Sequence, residues 1–219
     1  MVELSVKIAS SFDDCTRRIV TASETERFML NRGALITGYQ SSSERMMGSA
    51  MRFQNITIPY KSTIDSAYVK MYSASNQYNS GCKTLFSAEN VGNPDNFEDD
   101  DKDTFDARYA NNTTATVAWD NISGWTLNQA VSSPDIKTVI QEIVNRADWA
   151  AGNSIVIFWE DFAGRSSASS WATRYTFAYD NGAYLPYLLI NYTPATTGGA
   201  FTFPKKIRSE ESLSFLPSE

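Results

Sequence analysis

Apolar and polar residues alternate with a period of two over much of this chain, and in one place only do they take the period of a helix. Val2, Leu4, Val6 and Ile8 mark the first alternating stretch. Phe53 and Ile56, set against Gln54 and Thr57, mark another over 51–58, which Pro59 ends. Residues 63–72, 83–89, the Thr-rich 113–119, the continuous apolar run 154–159, 172–179 and 185–192 add further strand-like stretches, with turn residues such as Asp180-Asn181-Gly182 between them. A period of two puts every second side chain on one face, so each stretch predicts a strand. Short strands punctuated in this way predict an all-β sandwich or barrel. Residues 15–32 are mixed and charged, with Phe28, Met29 and Leu30 as the expected buried points, and 90–103 reads as a long loop.

The helical exception is Ile136, Val139, Ile140, Ile143 and Val144, at i, i+3, i+4, i+7 and i+8. This spacing is one face of a helix and predicts one over about 134–149. Ser133 is placed to cap it, Pro134 suits the first turn, Asp135 faces the positive end of the dipole, and Gly152 can close it. With strands on both sides, the stripe must bury against a sheet, so the helix should sit as a plug on the sandwich. Glu142 and Arg146, four residues apart, predict a surface ion pair or a tie between the helix and a loop.

Composition narrows the function. The 219 residues are 42% hydrophobic and 13% aromatic, which favours strands and supplies enough core to fold without disulfides. Cys15 and Cys82 read as two independent buried thiols, the alternative being a disulfide that ties the N-terminal region to a mid-chain strand. A net charge of −6 argues against a nucleic-acid partner, and no apolar run approaches the roughly 20 residues of a membrane span. There is no histidine, which removes the commonest general base, the Ser-His and Cys-His couples and the usual zinc ligands. No apolar segment follows Met1-Val2-Glu3-Leu4, so no secretory signal is expected. The expectation is a protein without catalytic chemistry.

Four pieces in order then carry a resemblance: Met51 to Pro59, Ile64 to Val69, Trp119 with Trp125, and Ser133-Pro134-Asp135 through Arg146 to Gly152-Asn153. Over about residues 5–193 the chain resembles jelly-roll modules of the DNRLRE type and carbohydrate-binding jelly rolls. These are met in tailed-virus virion proteins and in bacterial or archaeal surface proteins. The resemblance implies a jelly-roll sandwich used for display, adhesion or sugar binding. The domain is expected over 1–193, with a linker and C-terminal docking arm over 194–219.

Three sets of residues are candidates for contact. Phe201, Phe203, Leu213, Phe215 and Leu216 would anchor the arm on a neighbouring subunit. Trp125 and Trp171, in Gly/Ser/Thr-rich surroundings, predict exposed rings that could stack on a sugar, whereas Trp119, Trp149 and Trp159 predict core. Tyr39, Tyr78 and Tyr109, in polar stretches, rank after them. The acidic loop offers Asp95, Glu98, Asp99, Asp101 and Asp103 to a calcium ion, although a solvated loop is the simpler reading and no other cofactor is implied. Together these describe a non-enzymatic virion structural protein, a capsid decoration or tail or fibre component, assembling with itself or other virion subunits. The alternative is a carbohydrate-binding adhesion module of an extracellular or cell-surface protein.

Overall fold

A computed structural model describes residues 1–20, 27–40, 44–98, 102–166 and 171–195. The strands run in chain order as β1 (Val2–Lys7), β2 (Asp14–Val20), β3 (Arg27–Met29), β4 (Ala34–Gln40), β5 (Arg45–Ile56), β6 (Thr63–Tyr72), β7 (Cys82–Ala88), β8 (Val117–Ile122), β9 (Ala130–Ser132), β10 (Asn153–Glu160), β11 (Trp171–Phe177) and β12 (Tyr187–Thr193). Helix α1 (Lys102–Ala110) precedes β8, and helix α2 (Lys137–Val144) precedes β10.

All pairings between these strands are antiparallel. One sheet has the order β1-β12-β6-β9. The other has the order β11-β4-β5-β10-β7-β8, with β2 also paired to β5 and β3 to β2. Eight of these strands interleave as β1-β12-β6-β9 over β5-β10-β7-β8, the two nested Greek keys of a jelly roll. Strands β2 to β4 are inserted between its first and second strands, and β11 before its last.

The alternation read from sequence is the core pattern, save that in β5 an irregularity at Asn55 (φ +57°) brings Phe53 and Ile56, three positions apart, onto one face. Phe53 and Ile56 of β5, Val69 and Met71 of β6, Trp159 of β10 and Ile190 of β12 all face inward and are fully buried or nearly so. Val139, Ile140, Ile143 and Val144 of α2 join the same cluster. At about 1.5–3 kcal/mol for each such side chain, this stripe is what fixes the helix on the sandwich.

Helix α2 is shorter than its periodic pattern, because neighbouring residues are claimed by β6. The Ser133 hydroxyl accepts the Val69 N–H at 2.9 Å instead of capping the helix, and the Ser133 N–H returns to the Val69 carbonyl. Asp135 does serve the first turn: its carboxylate accepts the Lys137 N–H at 3.0 Å and also the Ala67 N–H at 2.9 Å. The helix ends at Asn145, and Gly152 (φ +97°) instead makes the turn into β10. Glu142 ties the helix to a loop, accepting the backbone N–H groups of Thr114 and Ala115 at 2.9 and 2.8 Å. That tie holds 113–115 outside any strand, so β8 starts at Val117 rather than at Thr113.

The expectation of one helix is corrected by α1, which occupies the end of the acidic segment. Phe105 is its only buried residue, so no apolar stripe announced it. Phe105 anchors a second cluster with Phe28, Phe97 and Phe158, at ring distances of 5.7–6.4 Å to its neighbours. Strand β2 was hidden differently. Arg17 in it is buried, and its guanidinium meets the Asp106 carboxylate of α1 at 2.7 and 2.8 Å. Cys15 and Cys82 are both buried free thiols in separate clusters.

Candidate functional site

The most exposed aromatic surface lies beside β11. Trp171 is 48% exposed and Tyr78 75%. With Ser75, Asn76, Asn79 and Tyr175 they border an open groove of about 260 Å³. Large rings left in water cost free energy, so what holds them out matters more than their composition.

The answer is a set of amide and guanidinium clamps. Gln77 stands in for a missing strand: its side-chain Nε2 donates to the Tyr175 carbonyl at 3.1 Å, and its Oε1 accepts the Tyr175 N–H at 3.0 Å. Its backbone pairs on the other side with Trp125, through reciprocal N–H···O bonds of 2.7 Å. Asn79 Nδ2 donates to the Trp171 carbonyl at 2.8 Å, and Asn76 Oδ1 accepts the Leu127 N–H at 2.9 Å. The segment 75–79 is thereby fixed between β11 and residues 125–127.

Beneath it lies Arg174, fully buried. Its guanidinium donates to the carbonyls of Asn79 (2.9 Å), Ser123 (3.0 Å), Thr173 (2.6 Å) and Ile122. Burial pushes its pKa down from the ordinary value. Four carbonyl oxygens focused on one cation keep it satisfied and bind three chain segments into one unit. Gly38 of β4 completes the support: a Cβ there would overlap the Ala172 carbonyl, and its φ of +105° suits glycine. This close approach lets β11 pair with β4 from Gln40↔Trp171 to Ala34↔Phe177.

Trp125 does not share this exposure, which corrects its expected role. It is 2% exposed, its ring lies 6.1 Å from that of Trp159 and 5.7 Å from that of Trp119, and Arg174 lies over it at 5.8 Å. The polar residues around it in sequence misled, because its neighbours in space are the core tryptophans. Trp149 and Trp159 are buried and Trp119 packs partly buried against the same core, as expected. Tyr39 is half-buried in β4. Tyr109 is half-buried on α1, packed edge-on against Phe158 and Phe162, with its phenol pKa raised by burial and by Glu160.

The acidic loop is built on arginine. Arg108 of α1 directs Nε and Nη2 to Glu89 Oε2 at 2.9 and 2.6 Å and donates to the carbonyls of Asn96 and Asp95 at 3.0 and 2.9 Å. It also lies 4.2 Å over the Phe97 ring. Arg52 bonds Asp13 and the Pro94 carbonyl, both at 2.9 Å. A polar cavity of about 750 Å³ opens between Glu89, Asp95, Glu98, Thr104 and Arg108. Asp95, Glu98 and Asp103 do not come together as ligands, and among the described residues no group of three acidic, thiol or imidazole side chains is placed to hold a metal. Asp99 and Asp101 lie outside the described residues, as do the arm residues Phe201, Phe203, Leu213, Phe215 and Leu216.

The groove offers the exposed rings of Trp171 and Tyr78, the amides of Asn76 and Asn79 and the hydroxyl of Ser75, and among the described residues no carboxylate lines it. Of these, only Trp171 and Tyr78 were marked by sequence; the run Ser75-Asn76-Gln77-Tyr78-Asn79 was the available signal for the rest. No model of a known protein family matches the chain, and no curated protein is significantly similar to it.

Proposed function

We propose that this protein is a non-enzymatic adhesion module that holds a neutral carbohydrate in the Trp171–Tyr78 groove, displayed on the surface of a virion as a decoration or tail component. The observation that carries the reading is an exposed indole and an exposed phenol held beside amide side chains by a fixed scaffold. An aromatic face packs on the apolar face of a pyranose, while amides and hydroxyls answer its hydroxyl groups. Preorganisation of the rim lowers the ordering cost of binding. The absence of histidine, and a groove lined by no carboxylate among the described residues, fit a role without acid–base chemistry.

The test is a glycan array followed by titration calorimetry of the best neutral ligand. Wild type should bind, and Trp171→Ala should lose at least about tenfold in affinity, the size of an anchoring aromatic contact. A blank array, or a Trp171→Ala variant with unchanged affinity, would overturn it. The second reading is that Trp171 packs against another subunit, since exposed aromatics also mark interfaces. In that case Trp171→Ala changes the mass measured by light scattering and leaves the array blank.

A further inference from the structure

A second polar-aromatic surface, separate from the groove, lies on the outer face of the four-stranded sheet. Pairing sets Lys7 opposite Tyr187, Tyr187 opposite Lys70, and Lys70 opposite Ser132. Directly paired residues share a face, so the four form one row across β1, β12, β6 and β9. In β6, Tyr68, Lys70 and Tyr72 alternate with buried Val69 and Met71, which makes this the outer face. The two lysines stand either side of Tyr187 with backbones about 9–10 Å apart. Lys70 lies 4.9 Å over the Tyr68 ring and donates to Ser132 at 3.0 Å.

Tyr72 and Tyr187 line two adjoining cavities on this face, of about 360 and 210 Å³. Tyr184 forms the rim of the larger one. It is 47% exposed, with φ at +54°, and its ring lies tilted against Tyr72 at 5.0 Å and stacks on Phe177 at 5.5 Å. A tyrosine in the left-handed region is uncommon and strained, so the turn that carries it is held there by its packing.

In a chain of net charge −6, this face is fitted to an acidic segment with apolar side chains. The chain contains such a segment. Ser209-Glu210-Glu211-Ser212-Leu213-Ser214-Phe215-Leu216 has two acids, three large apolar residues and no cation, whereas 201–208 carries Lys205, Lys206 and Arg208. The distance also fits. Strand β12 runs from Tyr187 to Thr193, so its end lies about 20 Å from the Lys7–Tyr187–Lys70 row. Residues 194–208 join Thr193 to Ser209, and an unconstrained chain of that length has an r.m.s. span of about 20–23 Å. A tether whose span matches the separation gives the highest effective concentration, which favours docking within one chain over docking between chains.

We propose that residues 209–216 dock on this cleft in their own chain, with Glu210 and Glu211 at the two lysines and Leu213, Phe215 and Leu216 against the tyrosine-lined cavities. Consecutive side chains of an extended segment diverge to opposite sides, so the two glutamates can each meet one of the two lysines. The docked segment is a strap across the sheet face, and the groove at Trp171 takes no part in it.

Hydrogen–deuterium exchange of the full chain tests this. Backbone amides of 209–216 should be protected in wild type, at a level independent of protein concentration. Lys7→Glu with Lys70→Glu should reduce that protection about fivefold, as should Glu210→Lys with Glu211→Lys; the four changes together should restore it. The second pair leaves every described residue unchanged and keeps the test decisive if the lysine changes impair folding. Absence of protection in wild type, insensitivity to charge reversal, or protection that grows with protein concentration would each overturn the proposal, the last by placing the segment on a second copy.

Discussion

The Trp171 groove and the acidic loop both carry side chains that sequence reading marks as ligand-binding, and they use them in opposite ways. In the loop, the described carbonyls and the Glu89 carboxylate are taken up by Arg52 and Arg108, so the polar groups organise the protein itself. In the groove, Arg174 and Gln77 take up the backbone groups behind the rim and leave the rings of Trp171 and Tyr78 in solvent. What differs is what stays exposed once the structure has satisfied itself, and the clamps beneath the groove are the reason that exposure persists.

Substitutions can break this contrast. The largest effect is expected for Arg174→Ala, which strands four carbonyl oxygens around a cavity. At about 1–3 kcal/mol for each buried group left unpaired, a loss of at least ~3 kcal/mol should appear in urea unfolding, with loss of glycan binding as 75–79 comes loose. Arg108→Ala should also destabilise by about 3 kcal/mol, because Glu89 would remain buried beside an empty site. Its glycan affinity should stay at the wild-type value. If the two variants lose binding equally, the groove is not an independently clamped unit.

A pH dependence sharpens the same distinction between satisfied and unsatisfied groups. Asp14 is buried beside Asp13 and near Asp180, and although it accepts the Tyr179 N–H at 2.7 Å, burial raises its pKa from 3.8 to about 7. A carboxyl with a raised folded-state pKa binds its proton more tightly in the native chain than in the unfolded one. Its contribution to stability is therefore greatest at low pH and falls as pH rises from about 4 to about 7. Asp14→Asn keeps an oxygen for the Tyr179 N–H, so its denaturation midpoint should fall less than that of wild type between pH 5 and pH 8. Equal slopes would show that Asp14 ionises without cost.

Much of the fold was legible because burial and periodicity coincide. β6 alternates from Ala67 to Tyr72, β10 is an apolar run buried on both faces, and the α2 stripe is buried residue for residue. What escaped was held by polar groups. Strand β2 buries Thr16 and Arg17, α1 rests on Phe105 alone, and Ser133 serves β6 in place of the helix. The groove was legible at Trp171 and Tyr78 but not at Gln77 or Arg174, whose roles arise from bonds across 98 and 95 positions of sequence. Trp125 shows the reverse error: local polarity suggested a surface ring, and the contacts that bury it come from β8 and β10.

The most direct test follows the indole N–H signals of the five tryptophans by NMR during titration with a neutral oligosaccharide that binds. The signal of Trp171 should shift with saturation while those of the buried Trp125, Trp149 and Trp159 hold still, and Trp171→Ala should remove the shifting signal without lowering thermal stability. A ligand that moves the buried indoles and leaves Trp171 unchanged would contradict the account.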